Sequence, residues 1–100
     1  MKMKVHFLNR DCALVCARYP NGRVAIKLVS DAAPVATATV NVPSCPLGER
    51  EVLIKNYDEN KGVLDALIEA GVVRPTNVFC QVGHARAQVC DLLIEPPTVH

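Results

Sequence analysis

The 100-residue chain contains no tryptophan and only two tyrosines and two phenylalanines. Because 50% of its residues are nevertheless apolar, we expect a core built from valine, leucine, isoleucine and alanine. A chain of this length buries about 65% of its unfolded surface on folding, which suffices for one domain without metal or disulfide crosslinks. The shortage of aromatic residues also disfavours a nucleic-acid surface that stacks bases.

The sequence also lacks long apolar runs, a targeting segment and an excess of either charge. No run approaches the roughly 18 apolar residues of a membrane span, and the N-terminus has no signal-peptide pattern. The formal net charge of +1 speaks against nucleic-acid binding through bulk electrostatics. Five cysteines in a chain without an export signal predict reduced thiols. We therefore expect a cytoplasmic protein with no membrane partner.

No motif for a metal, cofactor or catalytic site is present either. Cys80, His84 and Cys90 surround one predicted hairpin, but no CxxC pair accompanies them, so a zinc site is disfavoured. The glycines are scattered, with no glycine-rich loop between a strand and a helix. No strained elbow presents a nucleophile. We predict no metal ligand, no cofactor and no catalytic residue, and hence no enzyme.

The segment Asn56–Val73 is the one stretch that clearly predicts an α-helix. Its apolar stripe consists of Val63, Leu64, Leu67 and Ile68. Its outward charged residues are Lys61, Asp65 and Glu69. Asp58 or Asn60 can serve as the N-cap and Gly71 as the C-cap, which predicts a helix over about 58–70. We interpret the acidic residues of this segment as capping and solvating groups rather than catalytic ones.

Alternating apolar residues predict strands on both sides of this helix. The predicted strands are Lys2–Leu8, Cys12–Tyr19, Arg23–Val29, Val35–Val42, Glu51–Lys55, Val78–Val82 and Gln88–Ile94. The predicted fold class is α+β, a mainly antiparallel, twisted sheet of 5–7 strands with one helix (about 58–70) packed on one face. Residues 1–95 are expected to form this single domain, and residues 96–100 a flexible C-terminal tail.

Turn signals set the predicted pairing of these strands. The Asn21-Gly22 pair predicts a two-residue type I′ turn between the second and third strands. The predicted pairs are Tyr19–Val24, Ala17–Ile26 and Val15–Leu28 across this turn, and Ile26–Ala38 and Leu28–Ala36 across the next. The last hairpin is predicted around residues 83–86, in a register that places Cys80 opposite Cys90.

This pairing predicts an apolar stripe on the side of the sheet away from the helix. The candidate partner face consists of Leu8, Leu14, Cys16, Lys27 and Val29. An apolar stripe with a polar rim is either covered by the last hairpin, residues 78–94, or used for a protein partner or self-association. Unpaired strand edges offer a second way to dock, by strand addition.

Nucleic-acid binding is the alternative function that the sequence leaves open. The basic residues that gather around the first two predicted hairpins are Arg10, Arg18, Arg23 and Lys27. A base-stacking surface needs aromatic residues beside them, and only Tyr19, which faces inward in the predicted pairing, is available. A protein partner is therefore favoured over nucleic acid, and an enzyme is the least favoured reading.

Four stretches cover nearly all of the chain: FLNRDCALVCARYPNGRVAIKLVSD, ATATVNVP, EVLIKNYDENKGVLDALIEAGVV and VCDLL. Together they resemble a family of small bacterial proteins of unknown function that are carried on plasmids, integrative conjugative elements and phages. Asp58 and Lys61 stand where the family has the serine and glutamate of a capping box, which retains the N-cap and loses the reciprocal bond. The resemblance carries over no functional residue. It implies cargo of a mobile element in a bacterial cytoplasm, and on that basis we predict a non-catalytic, protein-binding accessory factor that modulates host machinery or defence.

Overall fold

The computed structural model describes residues 3–97, which form seven strands and one α-helix. The elements are β1 (Lys4–Phe7), β2 (Arg10–Arg18), β3 (Val24–Ser30), β4 (Ala33–Thr37), β5 (Glu51–Ile54), α1 (Val63–Glu69), β6 (Val73–Val82) and β7 (Ala85–Leu92). All strand pairs are antiparallel, so the predicted α+β class is confirmed. The strands do not form one sheet. They form a first sheet ordered β1-β2-β3-β4 and a second ordered β5-β7-β6.

The segment after β4 explains the division into two sheets. Ala38 still belongs to the first sheet, since its N–H donates to the carbonyl of Ile26 at 2.8 Å. Two residues later, the N–H of Val40 donates to Leu53 in β5 at 3.0 Å. The prediction of one continuous strand over residues 35–42 is therefore wrong. The chain crosses from the first sheet to the second within this segment. Prolines at 43 and 46 then prevent the chain from continuing as a strand.

The main core lies between the two sheets and is closed on one side by α1. Its buried residues are Val5, Phe7, Cys12, Val24, Ile26, Leu28, Ala38, Val52, Ile54, Val63, Leu64, Leu67, Val72, Val73, Cys90 and Leu92. The helix contacts β1 of the first sheet and β6 of the second. It therefore bridges the two sheets instead of lying across the middle of one.

The second sheet is also buried on its other face. A smaller core there consists of Cys45, Leu53, Ala87 and Val89, and partly buried residues of the 40–47 connector pack against it. Burial on both faces accounts for the unbroken apolar run Val52-Leu53-Ile54 in β5, where one exposed face would have produced alternation. The hairpin of β6 and β7 thus faces the inner side of the first sheet across the main core. It does not cover the outer side of the first sheet.

The turn between β2 and β3 has three residues, not two. The N–H of Gly22 donates to the carbonyl of Tyr19, and the N–H of Tyr19 donates to the carbonyl of Arg23, both at 2.8 Å. Gly22 has φ +88°, as the residue after a type I turn requires. The predicted register is therefore wrong by one residue: Cys16, not Ala17, lies opposite Ile26. A one-residue slip reverses which side chains of β2 face inward.

The helix is shorter than predicted and capped from a different residue. A 3-10 turn (Asp58–Asn60) precedes α1, and neither predicted N-cap residue caps the helix. Instead the side-chain oxygen of Asn56 accepts hydrogen bonds from the N–H groups of Gly62 and Leu64, both at 3.0 Å. At the other end the C-cap is Ala70, one residue before the predicted Gly71. Gly71 follows it with φ +76° and donates its N–H back to the carbonyl of Ile68 in α1, so it ends the helix as predicted.

Candidate functional site

The five residues of the predicted partner face do not lie together. Leu14 and Cys16 lie opposite Leu28 and Ile26 and pack against the main core, so they face inward. The outer side of the first sheet carries Lys27, which is exposed, and Val29, which is half-buried. Leu8 lies in the turn between β1 and β2, where its side chain is 56% exposed. The reversed parity of β2 is the physical reason for this scattering.

The outer side of the first sheet offers little apolar surface. Val15 lies opposite Lys27, and 43% of it is exposed. It is the one large apolar side chain of β1–β4 that is well exposed on this side. Polar neighbours include His6 and Asp11, whose side chains form an exposed hydrogen bond at 3.1 Å. Small alanines occupy other positions of this face. Scattered single apolar residues among charges are ordinary surface and do not indicate a partner.

The outer edge of β6 is the more distinctive surface. With ten residues, β6 is the longest strand, and it lies at the end of the second sheet. Its first half is closed to pairing, because Pro75 lacks an N–H and the pairing with β7 shifts between Pro75 and Phe79. We call the outward side of residues 78–82 the β6 edge.

Large apolar side chains are exposed at the β6 edge. Val78 is 56% exposed and Phe79 is 44% exposed. The guanidinium of Arg86 lies 4.8 Å from the centre of the Phe79 ring and covers part of it. From Pro75 through Val82 the sequence has no charged residue, whereas native edge strands usually carry charges that prevent pairing with another chain.

The backbone at the β6 edge has free hydrogen-bonding groups. Gly83 and His84 form a two-residue turn that is closed by the pair Val82 and Ala85. Because bonded and non-bonded pairs alternate along an antiparallel ladder, the N–H and C=O groups of Phe79 and Gln81 point away from β7. Among residues 3–97, no backbone group outside β7 bonds to either residue. The β6 edge thus combines free backbone groups with exposed apolar side chains.

A second candidate is a cleft of about 590 Å³ between the tip of the β2–β3 hairpin and residues 47–51. Arg18 donates to the carbonyl of Pro97 from Nε at 3.0 Å and from Nη2 at 2.8 Å. Arg23 donates from Nη1 to the carbonyl of Val42 at 2.7 Å. Of the predicted tail, Pro96 and Pro97 are thereby placed against this hairpin, and residues 98–100 lie outside the described part of the chain.

The arginines of this cleft are held by neutral carbonyls. Within residues 3–97, no carboxylate lies within 4.0 Å of Arg18 or Arg23, and both side chains are only half exposed. Arg50 also lines the cleft, together with the carboxylates of Glu49 and Glu51, and has a long contact of 3.9 Å with Glu95. Of the four predicted basic residues, the structure brings Arg18 and Arg23 to one place; Arg10 and Lys27 lie elsewhere on the first sheet.

Two of the five cysteines form a disulfide, so the prediction of five reduced thiols is wrong. Cys45 of the connector is bonded to Cys80 of β6, with 6.3 Å between the Cα atoms. The predicted pairing of Cys80 with Cys90 is also wrong, because Cys80 lies opposite Ala87 and Cys90 opposite Pro75. This register follows from the two-residue turn and from the shift between Pro75 and Phe79 in β6. The predicted pairing contained neither feature.

The remaining thiols are shielded by the fold. Cys12 and Cys90 are buried and Cys16 is half-buried. Burial raises the pKa of Cys90 to about 11 and also raises the pKa of Cys12 and Cys16 above its ordinary value. All three thiols are therefore protonated at neutral pH, the less nucleophilic form. Residues 3–97 contain no cluster of three or more histidine, cysteine or acidic side chains placed to hold a metal.

The sequence did not identify Val78 and Phe79 as site residues. The available signal was the charge-free run from Pro75 to Val82 in a strand placed last in its sheet, but only the sheet order shows that β6 is at an edge. Residues 3–97 include no helix with the length and apolar composition that a membrane crossing requires. Comparison with protein-family models, with curated proteins and with solved structures gives no match.

Proposed function

We propose that the protein is a non-catalytic, protein-binding factor and that its contact surface is the β6 edge. The observation that carries the proposal is the coincidence of exposed Val78 and Phe79 with the free backbone groups of Phe79 and Gln81. A partner strand added here gains main-chain hydrogen bonds and covers both side chains at once.

The biological setting of this binding is part of the same proposal. The resemblance of nearly the whole chain to proteins carried on plasmids, conjugative elements and phages supports a role as an accessory factor of a bacterial mobile element. Such a factor acts stoichiometrically on host machinery or defence, in the cytoplasm, by occupying a surface of its target. A small domain that presents one strand edge is suited to this kind of binding.

Capture from a bacterial host extract tests the proposal with one matched pair of variants. Phe79→Lys places a charge on the β6 edge, whereas Val15→Lys makes an equivalent apolar-to-charged change on the outer side of the first sheet. We expect the wild type and Val15→Lys to retain the same protein and Phe79→Lys to lose it by at least about tenfold, which corresponds to about 1.4 kcal/mol. Equal retention by Phe79→Lys, or equal loss by Val15→Lys, would contradict the proposal.

Nucleic-acid binding is the second candidate, and the arginine-lined cleft favours it. The charged residues that line the cleft are Arg18, Arg23, Arg50, Glu49 and Glu51. Three guanidiniums against two carboxylates leave a surplus of one positive charge, which favours contact with a phosphate backbone. We expect heparin to retain the wild type at low salt and Arg50→Gln to elute at a lower salt concentration than Lys27→Gln. Both variants remove one exposed charge, but Lys27 lies away from the cleft. Identical elution of the two variants, or no retention of the wild type, would rule this candidate out.

A further inference from the structure

We propose that the β6 edge pairs antiparallel with the β6 edge of a second copy of the chain, joining two three-stranded sheets into one sheet of six strands. This inference rests on the proposed function, since it names the partner that occupies the β6 edge when the protein is alone. A target protein that binds by strand addition then competes with the second copy for the same backbone groups.

The hydrogen-bond pattern of the β6 edge is complementary to itself. A two-fold axis beside Cys80 places Phe79 opposite Gln81 of the second copy, and the reverse pair follows by symmetry. Both residues point their N–H and C=O groups outward, so each pair is of the hydrogen-bonded kind. All outward backbone groups of Phe79 and Gln81 are then satisfied in both copies. No residue outside the described hairpin is needed.

The charge distribution permits two copies to approach along this edge. From Pro75 through Val82 no side chain is charged, so the two strands meet without like charges facing each other. The formal net charge of +1 adds little repulsion between whole molecules. Lysines and prolines that keep other sheet edges apart are absent from residues 78–82, and Pro75 lies outside this paired length.

The expected dimer is weak because the paired segment is short. Pro75 and the shift that follows it limit pairing to residues 78–82. The contact covers Val78 and Phe79 but falls below the roughly 1,200 Å² at which stable interfaces begin. We therefore expect a monomer–dimer equilibrium that responds to concentration.

Sedimentation equilibrium of the full chain, from roughly 10 μM to 1 mM, tests the inference in the range where small interfaces dissociate. We expect the wild type to shift from monomer to dimer across this range. Gln81→Pro removes an N–H that faces away from β7, so the hairpin keeps its own ladder while the intermolecular bond is lost. Gln81→Pro and Phe79→Lys should each weaken the dimer by at least about tenfold, and Val15→Lys should leave it unchanged.

The outcomes separate this inference from the proposed function. Self-pairing is overturned if the wild type stays monomeric over the whole concentration range. It is also overturned if Gln81→Pro and Phe79→Lys leave the dimer intact, provided that circular dichroism shows both variants folded. If the wild type is monomeric and Phe79→Lys still loses a captured host protein, only self-pairing is wrong. If the dimer responds as expected and no host protein is captured through the β6 edge, the proposed accessory function is wrong and self-pairing stands.

Discussion

Replacing Leu67 with alanine is expected to lower the free energy of unfolding by about 2–5 kcal/mol, because it removes a fully buried side chain from the main core. Replacing its neighbour Ile68 with alanine is expected to cost less than about 1 kcal/mol, since Ile68 is 39% exposed. Urea unfolding followed by circular dichroism measures both values. The two changes delete a similar volume from adjacent positions of α1, so their difference isolates burial.

The effect of Leu67 is large because α1 depends on its packing. A helix of seven residues is not stable alone, and its contacts with β1 and β6 hold it in place. Since domains of this size are stable by about 5–15 kcal/mol, Leu67→Ala removes a large share of the total. Leu67→Met, which conserves volume, should cost less than about 1.5 kcal/mol and serves as the folded control. Equal losses for Leu67→Ala and Ile68→Ala would show that the placement of α1 is wrong.

The sequence predicted local elements well, because their signals are local. Apolar periodicity identified the single helix and at least half of every strand, although the first half of β6, residues 73–77, was not predicted. Gly71 marked the end of α1 through its left-handed conformation. The predicted pair Leu28–Ala36 is confirmed, since β3 and β4 are joined by a short turn that leaves few alternatives. Ile68 is the exception within α1. Ile68 lies on the apolar side of the helix, as its spacing predicts, but it is 39% exposed. The helix lies at the side of the core and buries only Val63, Leu64 and Leu67 of the predicted stripe.

Pairing at longer range was predicted less well, because it depends on the length of each turn and on distant partner strands. Asn21-Gly22 occurs in both two- and three-residue turns, and Pro20 favours the longer one by fixing the φ of a type I turn. That difference of one residue decides whether Leu14 and Cys16 face the core or the solvent. The crossing at Ala38–Val40 depends on a partner strand more than ten residues away, which no local pattern encodes.

The candidate site illustrates the same limit. The sequence gives each apolar residue a face, but whether that face is covered depends on the order of strands in the sheet. Leu14 was predicted to be available and is packed against the core, whereas Phe79 was treated as part of a hairpin and lies at an open edge. An edge is a property of the assembled sheet. The absence of charge near Phe79 becomes informative only once β6 is known to be last.

The Cys45–Cys80 disulfide leads to the second large expected effect. Its cysteines are 35 residues apart, and closing a loop of that length restricts the unfolded chain enough to stabilise the fold by about 3–4 kcal/mol. Adding a reductant is therefore expected to lower the free energy of unfolding of the wild type by about that amount. Urea unfolding with and without the reductant measures the change. The thiols themselves stay in the protein, so this comparison isolates the covalent bond from the packing of the sulfur atoms.

Two variants make the result specific to this pair. Cys16→Ala removes a free, half-buried thiol and should respond to the reductant as the wild type does. The double variant Cys45→Ala/Cys80→Ala should be insensitive to it. The bond ties Cys45 of the connector to Cys80, which directly precedes Gln81 of the β6 edge. We therefore expect its loss to loosen the packing of the connector on the smaller core beside this edge. Amide exchange that accelerates more in β6 than in β2 and β3 on reduction would show local opening there in addition to the global loss. A wild type whose unfolding ignores the reductant would show that the bond does not stabilise the fold.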